Sequence, residues 1–231
     1  MPYYYWWDPT YFLVIIGAVI CLLASAHVNN TFKKYSKYRS MSGMTGAQAA
    51  QRILNAAGIY DVEIRHISGN LTDHYDPRNK TLNLSESVYG SMSVAAIGVA
   101  AHECGHAIQH QKEYAPLQIR SSLVPVANFG SGASWFFIIA GLFLSWQPLV
   151  TTGIVLFSLA VLFQLVTLPV EFNASSRALK MLGSSGMLGN DEVKGARKVL
   201  TAAALTYVAA LASSILQLLR LIILAGGRDR D

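Results

Sequence analysis

The stretch Leu149-Val150-Thr151-Thr152-Gly153-Ile154-Val155-Leu156-Phe157-Ser158-Leu159-Ala160-Val161-Leu162-Phe163-Gln164-Leu165-Val166-Thr167-Leu168 carries no charged residue. As an α-helix it would rise about 30 Å, the thickness of the hydrocarbon core of a bilayer. It is preceded by the uncharged turn Ser145-Trp146-Gln147-Pro148 and, before that, by a second apolar run from Gly130 to Trp146. Two such runs joined by a short turn predict an antiparallel membrane hairpin. A further run spans Thr10 to Ala26 behind the cluster Tyr3, Tyr4, Tyr5, Trp6 and Trp7, aromatic residues of the kind that gather at the membrane-water interface. The positive charges follow this run instead of preceding it, so it is expected to stay attached as an anchor. The last run covers Leu200 to Ala225 and contains Arg220, close enough to the end to snorkel towards headgroups.

The composition agrees with four membrane runs. Hydrophobic residues make up 52% of the chain and charged residues 13%, about half the charge of a soluble domain. The net charge of +5 and pI near 9.2 favour contact with anionic lipid headgroups, and no basic and aromatic stripe suggests a nucleic-acid groove. The two cysteines, Cys21 in an apolar run and Cys104 elsewhere, build no disulfide framework, which fits a reducing compartment.

Orientation follows from the basic residues, because short positive loops tend to stay in the cytoplasm. Lys33, Lys34, Lys37 and Arg39 follow the first run, and Arg177, Lys180, Lys194, Arg197 and Lys198 separate the third from the fourth. Both segments therefore belong on the cytoplasmic side. Arg228 and Arg230 oppose this placement but alternate with Asp229 and Asp231.

The segment 30–128 has globular patterning. Thr45-Gly46-Ala47-Gln48 fits a capping box that opens a helix through Ile53 and Leu54, ending at Gly58. Val62, Ile64 and His66 alternate with Glu63 and Arg65, as in a strand. Leu71 to Tyr75 and Thr81 to Leu84, joined through Asp76-Pro77-Arg78-Asn79, read as a hairpin. Ser91 or Ser93 is placed to cap the next helix, which carries His102-Glu103-Cys104-Gly105-His106.

Residues four apart share one helix face, so His102 and His106 can direct imidazole nitrogens at one ion. Glu103, beside the first histidine, suits a general base that takes the proton of a zinc-activated water attacking a carbonyl. A catalytic zinc needs a third protein ligand and one open position. A third histidine six residues on is absent, since that position is Lys112. His110 lies about 12 Å along the axis from His102, too far to share an ion on a straight helix, and reads as a structural or supporting residue. Among the acids Glu113, Glu171, Asp191 and Glu192, Glu171 stands out. It follows the third apolar run, where a carboxylate needs a partner, although an interfacial ion pair would also supply one.

The motif, together with Pro169-Val170-Glu171-Phe172-Asn173-Ala174-Ser175-Ser176-Arg177-Ala178-Leu179, resembles the membrane-bound neutral zinc metallopeptidases of the YugP-like family, over almost the whole chain. That family is similar to heat-shock-type membrane metallopeptidases whose third ligand is a Glu on a later helix. The resemblance implies His102, His106 and Glu171 as ligands of Zn2+, the HExxH gluzincin pattern, with Glu103 as base. In the broader group an Asp commonly stands four residues after the ligand Glu, whereas Ser175 stands there in this chain. The fold expected is mainly α: about four transmembrane helices (10–26, 130–146, 149–168 and 200–225). To these it adds a small α+β zincin-like cytoplasmic domain from 30–128, with 171–199 supplying the third ligand.

His74, Tyr75, Asn173 and Arg177 are weaker candidates for stabilising a transition state or supporting the ligands. The strand at His74 and Tyr75 could also offer an edge to an extended peptide. The expected activity is cleavage of membrane-associated proteins or peptides at the cytoplasmic face of the cell membrane. Two rivals are a site-2-type intramembrane protease and a non-catalytic zinc-binding scaffold or regulator. The first would pair its motif with an Asp in a later membrane helix, and no apolar run contains one. The second leaves Glu103 without a role. A lipid bilayer is the expected surrounding, with no nucleic acid, and a homo-oligomer or an accessory membrane protein is left open.

Overall fold

A computed structural model describes residues 8–228; the aromatic cluster Tyr3–Trp7 and the charges from Asp229 to Asp231 lie outside the described residues. The order is α1 (Tyr11–Tyr35), α2 (Gly46–Ala56), β1 (Glu63–Ile67), β2 (His74–Asp76), β3 (Thr81–Ser85), α3 (Glu86–Tyr89), α4 (Val94–Gln111), α5 (Ala115–Phe143), α6 (Gln147–Ser184) and α7 (Asn190–Arg228). The chain is therefore mainly helical with one small sheet. Four helices, α1, α5, α6 and α7, are long and apolar enough to cross a membrane.

These helices outrun the apolar stretches that announce them. The segment 30–128 was expected to be soluble up to residue 128, yet α5 already starts at Ala115 and accommodates Pro125. α6 carries straight on from its apolar run through Glu171 to Ser184, and α7 begins at Asn190, well before Leu200. A change from apolar to polar composition does not stop a helix; only a breaker or a cap does. The break between α6 and α7 comes at Gly186, whose φ of 64° suits glycine.

The chain divides into two compact units. The first comprises 8–25, 119–168 and 206–228 among the described residues. Its helices meet through small residues. A methyl added to Gly153 would lie 2.6 Å from the Ile138 side chain, and one on Gly141 would lie 2.7 Å from Val150. Close approach of this kind is how helices associate where lipid removes the hydrophobic drive. Phe12, Leu22, Phe129, Phe136 and Phe143 are exposed, the expected state of a lipid-facing surface. Arg220 does not merely snorkel. It is paired with Asp8 at 2.9 Å and lies over the Tyr11 ring at 4.3 Å, so its charge is neutralised within the protein.

The second unit comprises 26–118 and 169–205. The capping box is present: Gln48 N donates to Thr45 Oγ1 at 3.2 Å and Thr45 N to Gln48 Oε1 at 3.0 Å. α2 buries Ala49, Ala50, Ile53 and Leu54, worth roughly 1.5–3 kcal/mol for each large side chain. Cys104 on α4 is fully buried and its thiol donates to the Ala50 carbonyl at 3.6 Å; burial pushes its pKa well up. The sheet has the order β1-β3-β2, with β1 parallel and β2 antiparallel to the fully buried β3. The hairpin turn is held by Asp76, which accepts from Arg78 N at 2.9 Å and from Asn79 Nδ2 at 3.0 Å.

Candidate metal centre

Ser93 starts α4: its Oγ accepts from Ala96 N at 3.1 Å. That start sets the rotation that puts His102 and His106 side by side, ring centroids 4.8 Å apart and nearly perpendicular. Gly105, on the turn between them, lets α6 approach. A methyl there would lie 2.5 Å from the carbonyl oxygen of Ala174, closer than van der Waals contact allows. Because Ala174 lies one turn after Glu171 on α6, this approach brings the carboxylate up to the histidines. Glu171 is 2% exposed, and its Oε2 lies 3.3 Å from His102 Nε2 and 3.6 Å from His106 Nε2. One ligand atom from each of the three residues falls within 4.8 Å of the others.

The opposite ring nitrogens are held by the protein. Ser175 Oγ lies 3.1 Å from His102 Nδ1, and Gln109 Oε1 lies 3.0 Å from His106 Nδ1. Gln109 is fully buried, and its orientation follows from its neighbours: Nε2 faces two acceptors, the Val170 carbonyl at 2.8 Å and Asn173 Oδ1 at 3.0 Å. Asn173 Oδ1 also accepts from Arg177 Nε at 2.7 Å, and the Arg177 guanidinium lies 5.7 Å from the Tyr114 ring centroid. Because Gln109 Oε1 can only accept, His106 Nδ1 carries the hydrogen, and in the neutral ring Nε2 keeps its lone pair for a cation. The Arg177-Asn173-Gln109-His106 sequence of donors and acceptors thus fixes one tautomer. Ser175, which can donate or accept, fixes the orientation of His102 only.

Burial opposes protonation of His106, yet the hydrogen bond its ring can donate to Glu171, the charges of Glu103 and Glu171, and Gln109 together raise its pKa above the ordinary 6.5. Glu103 is 7% exposed, and among the described residues no group hydrogen-bonds its carboxylate. Two imidazole nitrogens and a carboxylate oxygen, with both rings anchored from behind, form a donor set that fits zinc with three protein ligands.

Of the weaker candidates, Asn173 and Arg177 reach this cluster through Gln109, whereas His74 and Tyr75 have other partners. His74 Nδ1 lies 2.9 Å from the Thr72 carbonyl and Nε2 lies 3.2 Å from Asn83 Nδ2. Tyr75 OH lies 2.8 Å from His110 Nδ1, and burial pushes the phenol pKa up to about 12. His110 therefore pairs with β2. Gln109 escaped the sequence reading, although a Gln three residues after His106, on the same helix face, was a usable signal.

A family model described as "Putative neutral zinc metallopeptidase" matches residues 10–226. The chain is 49% identical over 221 residues to the "Putative membrane protease YugP" of Bacillus subtilis (strain 168), covering 95% of this chain and 98% of that protein. No solved structure matches at a comparable level. A match of this length, reaching from the first spanning helix to the last and enclosing the His-His-Glu cluster, means that the chain belongs to this family of zinc metallopeptidases.

Proposed function

We propose that the protein is a zinc-dependent membrane metalloendopeptidase that hydrolyses peptide bonds of membrane proteins or membrane-associated peptides at the cytoplasmic face. The observation that carries this reading is Glu171 Oε2 at 3.3 Å and 3.6 Å from the Nε2 atoms of His102 and His106. His102, His106 and Glu171 would hold zinc, a gluzincin arrangement; when bound, the ion supplies the positive charge that acidifies water and polarises the scissile carbonyl.

The chain's own residues do the rest. Glu103 takes the proton of the attacking water on its carboxylate and passes it to the leaving amine nitrogen, the part a general base plays in amide hydrolysis. Its neighbourhood suits the task, since among the described residues no group hydrogen-bonds its oxygens. Gln109 and Ser175 keep the two rings from turning. The basic residues at the end of α1, Lys33 and Lys34, and those of 177–198 support a cytoplasmic placement. The intramembrane alternative loses support because α4 is not among the four helices apolar enough to span.

The test is Glu103→Gln. The variant should bind zinc like the wild type and lose casein-type proteolysis by about two to four orders of magnitude. Unchanged cleavage by that variant would refute the assignment.

A further inference from the structure

Between α6 and α7 in the second unit runs a groove of about 360 Å³. Phe172, Ser176 and Lys180 line one wall, each four residues from the next and hence on one face of α6; Arg197, Leu200 and Thr201 contribute from α7. We propose that this groove binds the phosphodiester headgroup of an anionic phospholipid.

The lining offers two cations and hydroxyl donors, and no acid. Lys180 and Arg197 are exposed, and among the described residues neither has an ion pair or a hydrogen bond. Of the neighbouring cations, Lys194 pairs with Asp191 at 2.8 Å and Arg177 donates to Asn173 at 2.7 Å, whereas Lys198, outside the lining, has no such partner among the described residues. An ammonium and a guanidinium left free, in one lining with the hydroxyls of Ser176 and Thr201, match a phosphate, whose oxygens accept from both.

The position of the groove selects the source of that phosphate. α6 is uncharged from Leu149 to Val170 and gains Arg177 and Lys180 in the turns that follow, while α7 carries Lys194, Arg197 and Lys198 before turning apolar at Val199. Both helices thus change character within the groove, as they would at the headgroup layer of a bilayer. Its cations lie on the charged stretches. Phe172, 49% exposed, follows directly on the apolar stretch of α6 and offers the surface along which acyl chains would run, while Leu200 is buried behind it at the start of the apolar part of α7. A free phosphate would use only the charged end. The groove also reaches the metal cluster, because Ser175 lines it while holding His102 Nδ1 at 3.1 Å.

The test uses the full-length protein in detergent micelles, titrated with phosphatidylglycerol or phosphatidylcholine and read by native mass spectrometry, with no dependence on peptidase activity. Phosphatidylglycerol should bind in preference to phosphatidylcholine. Lys180→Gln with Arg197→Gln should weaken it on the order of thirtyfold, about fivefold for each single change. The charge-matched pair Arg52→Gln and Lys112→Gln, both exposed and outside the groove, should leave it unchanged. If the double variant fails to fold, the single variants and Thr201→Val, which keeps both cations, carry the same comparison. Equal phosphatidylglycerol affinity in folded groove variants and wild type would overturn the proposal. So would displacement of the lipid by inorganic phosphate alone, which marks a small-anion site. Displacement by a peptide with a free terminal carboxylate would also overturn it, by marking a substrate pocket.

Discussion

Gln109 Oε1 lies 3.0 Å from His106 Nδ1, and the amide that makes this contact is fully buried and held from its other end by Val170 and Asn173. One side chain therefore couples the orientation of a histidine on α4 to the backbone of α6 beside Glu171.

Replacing Gln109 tests that coupling. Gln109→Leu should weaken zinc binding about 10- to 100-fold in a chelator competition, because His106 loses the acceptor that fixes its tautomer. Gln109→Glu keeps an acceptor for His106 but turns a carboxylate oxygen towards Val170 O and Asn173 Oδ1. It should lower stability by roughly 1–3 kcal/mol in a denaturant titration while sparing zinc affinity better than Leu. Wild-type zinc affinity in the Leu variant would remove Gln109 from the ligand support.

Glu171→Ala should abolish stoichiometric zinc, measured by metal analysis of the purified protein. The histidines alone leave an ion with two protein ligands, one fewer than a catalytic site uses. A variant that binds zinc as tightly as wild type would exclude Glu171 from the ligand set.

Ser175 Oγ lies 3.1 Å from His102 Nδ1. Ser175→Ala should weaken zinc binding about tenfold by freeing His102 Nδ1. Ser175→Asp places a charge at a site only 9% exposed. It should destabilise the zinc-free protein and widen the gap in Tm between zinc-loaded and zinc-stripped samples. An unchanged gap would show that residue 175 does not act on the metal site.

Zinc removal should change how stability responds to pH. The pKa of His106 is raised in the folded zinc-free protein, so its contribution is present below the unfolded value near 6.5 and is lost as pH rises through the raised folded value. Zinc needs the neutral ring, so its stabilisation grows over the same interval. The Tm difference between loaded and chelator-treated protein should therefore widen from mildly acidic to mildly alkaline pH in a thermal scan. A gap that narrows instead would contradict this account.

Much of this architecture is written in local patterns. Uncharged runs announce α5 and α6, Thr45 and Gln48 announce the start of α2, and Asp76-Pro77-Arg78-Asn79 announces the turn before β3. The spacing of His102 and His106 states a shared helix face. What stays hidden depends on segments far apart in sequence. The parallel pairing of β1 with β3 crosses an intervening strand. The pairing of Arg220 with Asp8 needs the two ends of the chain together. The apposition of Gly105 and Ala174, which brings Glu171 to the histidines, needs α4 and α6 already packed. Helix ends were also obscure, because charged residues after an apolar run change the surroundings of a helix without ending it.

Cys104 occupies the middle of the metal motif, and a thiolate is the softest and tightest zinc donor among protein side chains. Two residues along a helix turn it about 200° from His102, so its sulfur packs against the Ala50 carbonyl on α2. A sulfur that joined the two histidines would complete a closed, four-ligand zinc of the structural kind and exclude the reactant. By burying that thiol in its protonated form against α2, the fold separates a metal that works from a metal that merely staples.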